Sequence, residues 1–377
     1  MSLIDFGSIA QIKKGKKPLR QIDHPQDGYL PYVDIEAFET GNVKAYADGE
    51  KCLPCKAGEI LIVCDGSRSG FVGRAIDGYV GSTLAVISAD GMSADYLYYF
   101  LQGKYALLNT KKKGTGTPHL DQQILFQQKL LVPSLEEQAR IVARIEELFS
   151  ELDNGVETLC KTKQQLAVYR QAILKDAFSI CRKQVAVSSV CTHVTDGDHM
   201  PPPKAPSGIP FIMISNIDGN QIDFSETAFV GRDYYESIDS KRRPQVGDVL
   251  YSVTGSFGIP VLVDFEKEFC FQRHIALLRP NDSILSRYLY YAMQSPDVYA
   301  QVSKGATGTA QKTVGLTVLR KILIPYAETK LEQEEIVRDI ENKMSVCDSI
   351  EKTVDTALQQ AEAMRQSILK QTFEGRL

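Results

Sequence analysis

The sequence has no apolar run long enough to cross a membrane. No stretch of about 18 apolar residues, the shortest that commonly spans a bilayer, occurs among its 377 residues. The first residues, MSLIDFGSIAQIKKG, also lack the apolar core of a secretory signal peptide. We therefore expect a cytoplasmic protein.

Metal-binding patterns are also missing. The chain has five histidines and eight cysteines. Cys52 and Cys55 form a lone C-x-x-C pair, with no second pair of cysteines or histidines at the spacing of a zinc site. No H-E-x-x-H segment is present. We predict buried or free thiols and no metal site.

Catalytic signatures are absent as well. No G-x-x-x-x-G-K-S/T loop is present, and Gly114 and Gly116 open no βαβ unit that could hold a dinucleotide or S-adenosylmethionine. No tetrapeptide of the Asn-Pro-Pro-Tyr kind marks an amino-methyltransferase. A pair of carboxylates that supports metal-dependent cleavage stays an open alternative. The pattern favours a binding module without catalytic residues.

A strong net positive charge is the fourth absence. The net charge is −4, and residues 1–134 and 182–327 each carry only +1. The acidic excess lies in residues 135–181 and 328–377, at −2 and −4. Charge alone therefore gives no argument for a DNA footprint.

Residues 137–178 show the clearest positive signal. Apolar side chains recur at alternating steps of three and four, which predicts a coiled-coil helix. At about 1.5 Å per residue it would be roughly 63 Å long and needs a partner for its stripe. The predicted core residues in this helix are Ile141, Ile145, Leu152, Leu159, Leu166 and Ile173.

The same helix returns 195 residues later. Residues 332–373 match residues 137–178 at 17 of 42 positions without a gap. We predict that the two helices pack as an antiparallel coiled coil. The small side chains in the second stripe also leave open that part of it binds a partner helix. The predicted core residues in the second helix are Ile336, Ile340, Ile350, Val354 and Ile368.

The globular parts repeat more weakly. GEIL at 58–61 corresponds to GDVL at 247–250, and YLYY recurs at 96–99 and 288–291. The pattern predicts an α+β fold, a tandem repeat of two mixed α/β domains that are each followed by a long helix. The expected segments are 1–134 (domain 1), 135–181, 182–327 (domain 2) and 328–377.

Within domain 1, short apolar runs predict strands at 32–35, 60–64, 73–76, 84–88 and 130–132, and a helix at 93–108. Cationic or glycine-rich loops occupy 11–20, 65–73 and 111–120. The loop residues differ between the repeats, and His119 aligns with Gln311. Divergent loops on a shared scaffold suggest two sites that read different things.

These motifs resemble the specificity subunit of type I restriction–modification systems. The resemblance rests on the passage from TGT (115–117) through LVP (131–133) into EQ-x-x-IV (137–142). It rests equally on the repeat of that passage from TGT (307–309) through LIP (323–325) into EQ-x-x-IV (332–337). The strand start at 58–61 and the terminal FEGRL (373–377) also fit.

The resemblance implies two target-recognition domains that each read one half of a bipartite, asymmetric DNA site, with the helices as a spacer ruler. Two modification (methyltransferase) subunits and restriction (translocase/nuclease) subunits would be partners. S-adenosylmethionine, ATP and Mg would be bound by those partners, and this chain would bind no cofactor. A stand-alone DNA-modifying enzyme and a coiled-coil scaffold without a DNA role are the alternatives.

Basic and amide side chains on the loops are the candidate DNA contacts, because Arg pairs with guanine and Gln or Asn with adenine. In domain 1 they are Lys13, Lys14, Lys16, Lys17, Arg68, Arg74, Lys111, Lys112, Lys113 and His119. In domain 2 they are Lys204, Arg242, Arg243, Gln272, Arg273, His274, Lys304, Gln311 and Lys312.

Overall fold

The computed structural model describes residues 3–113, 118–199, 202–309 and 311–375. The predicted motif at 115–117, Gly114, and the last two residues of the FEGRL motif lie outside these ranges. The chain divides into two compact units. Unit 1 comprises Met1–Cys160 and Asp355–Leu377, and unit 2 comprises Lys161–Val354. Both long helices are therefore divided between the units, and the four predicted segment boundaries stay a prediction.

Domain 1 lies in unit 1 and is built mainly of short strands. The strands are β1 (Ile4–Asp5), β2 (Ala10–Lys14), β3 (Gln21–Ile22), β4 (Leu30–Val33), β5 (Tyr46–Ala47), β6 (Pro54–Cys55), β7 (Ile60–Val63), β8 (Val72–Arg74), β9 (Gly78–Val80), β10 (Leu84–Ala89) and β11 (Lys129–Leu130). The helices are α1 (Ile35–Thr40), α2 (Ala94–Gln102), α3 (Tyr105–Thr110) and α4 (Gln122–Phe126).

Domain 2 lies in unit 2. Its strands are β12 (Lys183–Ala186), β13 (Cys191–Asp196), β14 (Ile209–Ile212), β15 (Ile217–Asp218), β16 (Gln221–Ile222), β17 (Ala228–Val230), β18 (Val249–Ser252), β19 (Pro260–Leu262), β20 (Cys270–Phe271), β21 (Ile275–Pro280) and β22 (Leu323–Tyr326). Its helices are α6 (Val187–Val190), α7 (Arg232–Ser237), α8 (Ser286–Gln294), α9 (Pro296–Gly305) and α10 (Leu316–Lys321).

The four-stranded antiparallel sheets have the same strand order in both domains. An antiparallel sheet runs β2-β10-β7-β8 in domain 1 and β13-β21-β18-β19 in domain 2. A second sheet contains a parallel pair in each domain, β4 with β9 and β14 with β20. All four residues of β7 and all four of β18 are buried, which explains their unbroken runs of largely apolar residues. The predicted tandem repeat is confirmed at the level of sheet order.

The predicted strands of domain 1 are all present, with ends that differ by at most two residues. One of these strands and the predicted helix differ for a clear local reason. The strand expected at 32–35 ends at Val33, because the side chain of Asp34 accepts a hydrogen bond from the Ala37 backbone and begins α1. The helix expected at 93–108 does begin after a serine cap, since Ser93 accepts from the Tyr96 backbone at 3.2 Å. It divides at Gly103 and Lys104 into α2 and α3.

The long helices α5 (Leu135–Phe178) and α11 (Lys330–Phe373) begin in the same way. Gln138 and Gln333 lie in the first turn of each helix and have no exposed surface. The Gln138 amide nitrogen donates to the carbonyls of Gly91 (2.7 Å) and Pro133 (2.9 Å), and its oxygen accepts from the Ser93 backbone (2.8 Å).

Gln333 repeats these bonds in unit 2. It donates to Ser283 and Ala327 at 3.0 Å each and accepts from the Leu285 backbone at 2.8 Å. The accepted bond reaches the residue that precedes α8, as it reaches the residue that precedes α2 in unit 1. One buried glutamine per unit thus fixes the start of a long helix to the adjoining globular domain.

Within each unit a segment of α5 packs against a segment of α11. In unit 2, Arg170 pairs with Asp348 at 2.7 Å and Glu351 at 2.8 Å, while Asp176 lies 3.7 Å from Lys343. Residue numbers rise along one segment and fall along the other, so this packing is antiparallel, as predicted.

The equivalent contact in unit 1 uses equivalent residues. Arg365 pairs with Asp153, and its guanidinium lies 4.5 Å from the centre of the Phe149 ring. Arg365 and Asp153 are the repeat partners of Arg170 and Asp348. The same arginine–aspartate pair therefore fixes the alignment of the helix segments in both units.

The predicted helix core has one error. Ile145, Leu166, Ile173, Ile336, Ile340 and Val354 are buried, and Ile141, Leu152, Leu159 and Ile368 are half-buried. Ile350 is 40 % exposed, so its assignment to the core is wrong. The buried positions at this level are Cys347 and Val354, seven residues apart, and Ile350 lies to one side of the line that joins them.

We predict that Gln138→Leu destabilises the protein by about 3 kcal/mol, because it removes the hydrogen-bond partner of one buried backbone group and of two partly buried ones, at roughly 1–3 kcal/mol for the buried group and less for the other two. Urea unfolding followed by circular dichroism measures the change. The matched control is Gln127→Leu, at an exposed position of the same unit, where we expect a change within about 0.5 kcal/mol. Equal effects of the two substitutions would contradict the anchoring role.

Candidate nucleic-acid interface

The three predicted loops of domain 1 meet at Asp65. Lys14, at the end of β2, donates to one carboxylate oxygen at 2.7 Å. The Nδ1 atom of His119 lies 2.7 Å from the other oxygen. The Gly66 backbone donates to the carbonyl of Pro118 at 2.8 Å. Residues from 14, 65 and 119 along the chain therefore form one surface cluster.

The 111–120 loop is held at both of its described ends. The backbones of Lys113 and His119 exchange hydrogen bonds of 2.9 and 2.8 Å, and the Lys113 ammonium lies 3.0 Å from Asp121. Lys112 donates to the carbonyl of Ser67 at 2.8 Å. These contacts place the described ends of the loop, residues 111–113 and 118–120, beside the Asp65 cluster.

The charge of Asp65 is stabilised by its neighbours. Partial burial acts to raise the pKa of this carboxyl, but hydrogen bonds from Lys14 and His119, with their charges, hold the pKa below its ordinary value. The carboxylate is therefore ionised at neutral pH and neutralises part of the basic loop.

Arg68 and Arg74 are occupied by contacts within domain 1. Arg68 pairs with Glu39 and lies 4.5 Å from the centre of the Phe71 ring. Arg74 pairs with Asp95 at 2.5 Å and lies over the Tyr98 ring. These contacts fix both guanidinium groups, and direct contact of either with DNA stays a prediction.

Several other basic residues of domain 1 are exposed. Within the described part of the chain, none of them has an ion pair with an acidic side chain. Their ammonium groups are available for phosphate contacts. They are Lys13, Lys16, Lys17 and Lys111.

Domain 2 uses acidic residues at the corresponding place. Arg242 donates to the carbonyls of Asp196 and Gly197 at 2.8 Å each and to the Asp196 carboxylate at 3.0 Å. Asp198 accepts from Tyr234 and lies 3.7 Å from Arg242. His199 lies 2.9 Å from Asp196. The Arg242 side chain is therefore bound by the segment that follows β13, which favours a positioning role for it.

A cleft in domain 2 collects three of the predicted contact residues. It has a volume of about 350 Å³. Arg273 and His274 line it from the turn before β21, and Gln311 lines it from the loop before α10. Asp196 and His199 complete its polar wall. Gln272 lies in the same turn and is half-buried.

The remaining predicted residues of domain 2 are dispersed. Arg243 packs at 5.7 Å from the Tyr235 ring, and its Nε is buried without a hydrogen-bond partner among the described residues. This placement favours a structural role. Lys204, Lys304 and Lys312 are exposed.

The structure corrects one alignment between the repeats. His119 pairs with Asp65 and Lys113, whereas Thr313 pairs with Thr254 and Thr307. His119 is thus equivalent to Thr313, and its predicted correspondence with Gln311 is wrong. The loops differ in length before this point, so alignment of the threonine–glycine motifs misplaced it by two residues.

Sequence analysis missed the acidic residues that organise both sites, Asp65 in domain 1 and Asp196 in domain 2. Asp196 also occupies the position in domain 2 that Lys14 occupies in domain 1. Each is the last residue of its strand, and the glycine that follows it, Gly15 or Gly197, donates to Leu84 or Ile275 at the start of the neighbouring strand. The signal was the sequence K-G against D-G after a short strand, which is too brief to align unaided.

The described residues offer no sign of a metal site. No group of three or more histidine, cysteine, aspartate or glutamate side chains is placed to hold an ion there. Cys55 is a buried free thiol, and burial with nearby carboxylates raises its pKa to about 11. Likewise, no helix in the described ranges is both long and apolar enough to cross a membrane.

Comparison with known proteins agrees with this geometry. The sequence model of the type I restriction modification DNA specificity domain matches residues 3–160 and 199–360. The chain belongs to this family. The MjaVIII specificity subunit of Methanocaldococcus jannaschii is 24% identical over 91% of this chain and 87% of its own length. The EcoBI specificity subunit of Escherichia coli is 22% identical over 99% and 85%.

A solved structure shares the fold. One chain from work on complex assembly and conformational transition of a type I R-M system has a TM-score of 0.74 at 19% identity. The alignment covers 100% of this chain and 98% of that one. As a type I specificity subunit, this protein is non-catalytic and recognises DNA sequence with two domains.

The specificity subunit's two domains present different chemistry on one scaffold. At the end of β2 and β13, domain 1 carries Lys14 and domain 2 carries Asp196. Domain 1 connects β9 to β10 through residues 81–83 (GST). Domain 2 connects the equivalent strands, β20 and β21, through residues 272–274 (QRH). Cationic contacts are thus concentrated on different loops in the two domains.

We predict that Asp65→Asn lowers the free energy of unfolding by about 1 kcal/mol at neutral pH, because half-exposed Lys14 limits the strength of the pair. The folded-state pKa of Asp65 is depressed. Its contribution is therefore complete above the ordinary aspartate pKa of about 3.9 and is lost as the pH falls through the lowered value. Urea unfolding between about pH 7 and pH 3 measures it.

The exposed Asp27→Asn serves as control and should change stability at neither pH. A difference between wild type and Asp65→Asn that persists unchanged at about pH 3 would show that the carboxylate charge is not its cause.

Proposed function

We propose that this specificity subunit binds a bipartite, asymmetric DNA sequence, with one half read by each domain. The single observation that supports this is the repeat of one scaffold with different side chains at equivalent positions. Lys14 of domain 1 is equivalent to Asp196 of domain 2, and residues 81–83 (GST) are equivalent to residues 272–274 (QRH). Two domains that differ in this way favour different base pairs.

The long helices would set the gap between the halves. Each has 44 residues, which corresponds to roughly 66 Å at about 1.5 Å per residue. A turn of DNA rises about 34–36 Å. Helices of this length, fixed to their domains by Gln138 and Gln333, suit a ruler for a constant number of unread base pairs.

Catalysis would be supplied by partners. We infer that two modification subunits and restriction subunits assemble on this chain in the cytoplasm, and that they bind S-adenosylmethionine, ATP and Mg. The weakly charged domains fit this division of labour, because partner subunits could neutralise much of the phosphate charge. This chain would then contribute base contacts and spacing.

The test is to co-express the chain with its modification subunit and to map methylated adenines across the host genome. We expect a single split motif with a fixed gap. Replacement of residues 182–327 by the domain of another specificity subunit should change one half of the motif only. An assembled complex that methylates without a split motif would contradict the proposal.

We predict that added helical heptads lengthen the gap and leave both halves unchanged. The duplicated residues are 154–160 and 348–354, which end at the two chain positions that divide each long helix between units 1 and 2. Seven residues add about 10.5 Å, so the gap should grow by at most about three base pairs at 3.4 Å each. Methylated-site mapping measures the gap.

The control duplicates only residues 154–160, which leaves the helices unequal and should prevent assembly or methylation. A gap that stays constant in the double insertion, with methylation intact, would contradict the ruler.

A further inference from the structure

The turn between β20 and β21 gives domain 2 a group that domain 1 lacks. In domain 1, residues 81–83 connect β9 to β10 and read Gly-Ser-Thr. In domain 2, residues 272–274 connect β20 to β21 and read Gln-Arg-His. The flanking strands pair alike, since β4 with β9 and β14 with β20 are both parallel. The difference is therefore in side chains and not in topology.

The backbone of this turn is rigid. The Gln272 backbone donates to the carbonyl of Ile212 at 3.0 Å, and the Arg273 backbone donates to that of Asp198 at 3.0 Å. Asp198 is itself fixed, because its backbone donates to Phe271 and its carboxylate accepts from Tyr234. The position of the Arg273 Cα is thus determined by several independent bonds.

The guanidinium of Arg273 is free by contrast. The residue is exposed, and no hydrogen bond or ion pair joins its side chain to another residue within the described ranges. Arg242, Arg68 and Arg74 all pair with acidic groups of their own domain. Arg273 therefore combines a fixed backbone with unused donors, which is the arrangement that base reading requires.

Gln311 reaches the same cleft from the opposite loop. Its amide nitrogen lies 3.1 Å from the point that a Cβ on Gly255 would occupy. Gly255 has a φ of +71°, and its backbone donates to the carbonyl of Lys312 at 3.0 Å. The Gln311 amide therefore lies close to the Gly255 turn, and Gln311 and Arg273 line the same cleft of about 350 Å³.

We propose that Arg273 and Gln311 determine the half-site that domain 2 reads. Arg273 donates to O6 and N7 of a guanine, and Gln311 makes paired hydrogen bonds to N6 and N7 of an adenine, the pairings that their donor geometry favours. The inference rests on the proposed function, since it assigns bases within one of the two halves.

The neighbouring residues have supporting roles. Arg242 binds the carbonyls of Asp196 and Gly197 and so shapes the wall of the cleft. Asp198 holds the Arg273 backbone. Substitution of these positioning residues should weaken recognition by domain 2 without exchanging one preferred base for another.

The experiment uses the complex of this chain with its modification subunit and compares methylated motifs. Arg273→Ser installs the domain 1 residue, and we expect one guanine of the domain 2 half to become degenerate, with discrimination reduced about 10- to 100-fold. Gln311→Glu removes donors and keeps acceptors, so an adenine position should change to cytosine, whose amino group donates to a carboxylate. The domain 1 half and the gap should not change.

The matched control is Arg232→Ser. Arg232 is also an exposed arginine of domain 2, but it pairs with Glu268 and does not line the cleft. Its motif should equal that of the wild type. A wild-type split motif that both Arg273→Ser and Gln311→Glu leave unchanged would overturn the inference alone. A wild-type complex that assembles and gives no split motif would overturn the proposed function itself.

A second measurement does not depend on folding of the variants. Duplexes carry 7-deazaguanine or 7-deazaadenine at single positions of the domain 2 half, which removes the N7 acceptor without changing base pairing. Binding by the wild-type complex should weaken about tenfold at one guanine and one adenine. Unchanged binding at every position would contradict both assignments.

Discussion

The buried glutamine at the start of each long helix is the contact on which the architecture depends. Gln138 and Gln333 each form three hydrogen bonds with backbone groups of the preceding domain, through both the nitrogen and the oxygen of the side-chain amide. One of the three bonds is with the residue that caps a short helix of that domain. A side chain with no exposed surface and all bonds satisfied has one orientation, and any displacement strands several polar groups. The direction of each helix relative to its own domain is therefore tightly determined.

The arginine–aspartate pairs add a second constraint of a different kind. Apolar stripes of the coiled-coil type are permissive, because a shift of seven residues places similar side chains opposite one another. Arg170 with Asp348, and Arg365 with Asp153, single out one alignment in each unit. Their value lies in alignment, since partly exposed ion pairs add only about 0–1 kcal/mol of stability.

The long helices could be predicted from the sequence to a greater extent than the candidate DNA-binding site. The helices were predictable because 195-residue correspondence holds without a gap through Glu137–Phe178, so helical period and repeat reinforce each other. The prediction for Ile350 was wrong because the helical period locates an apolar stripe but does not show which edge of the stripe the neighbouring helix covers. The site was less accessible, since Lys14 meets Asp65 across 51 residues through sheet pairing. The difference in residue number between equivalent positions of the two domains also changes, from 189 at β7 and β18 to 194 at α4 and α10.

Unit 2 is one continuous stretch, Lys161–Val354, whereas unit 1 needs residues from 355 onward to complete its core. Leu369 and Phe373 are buried there with Ile145 and Phe100. A ribosome adds roughly 5–20 residues per second, so all of unit 2 is made before these side chains exist. Part of the apolar surface of domain 1 therefore stays uncovered while domain 2 is synthesised. Domain 1 is translated first but its core is completed last, so it is exposed to chaperones and to aggregation for longer during translation.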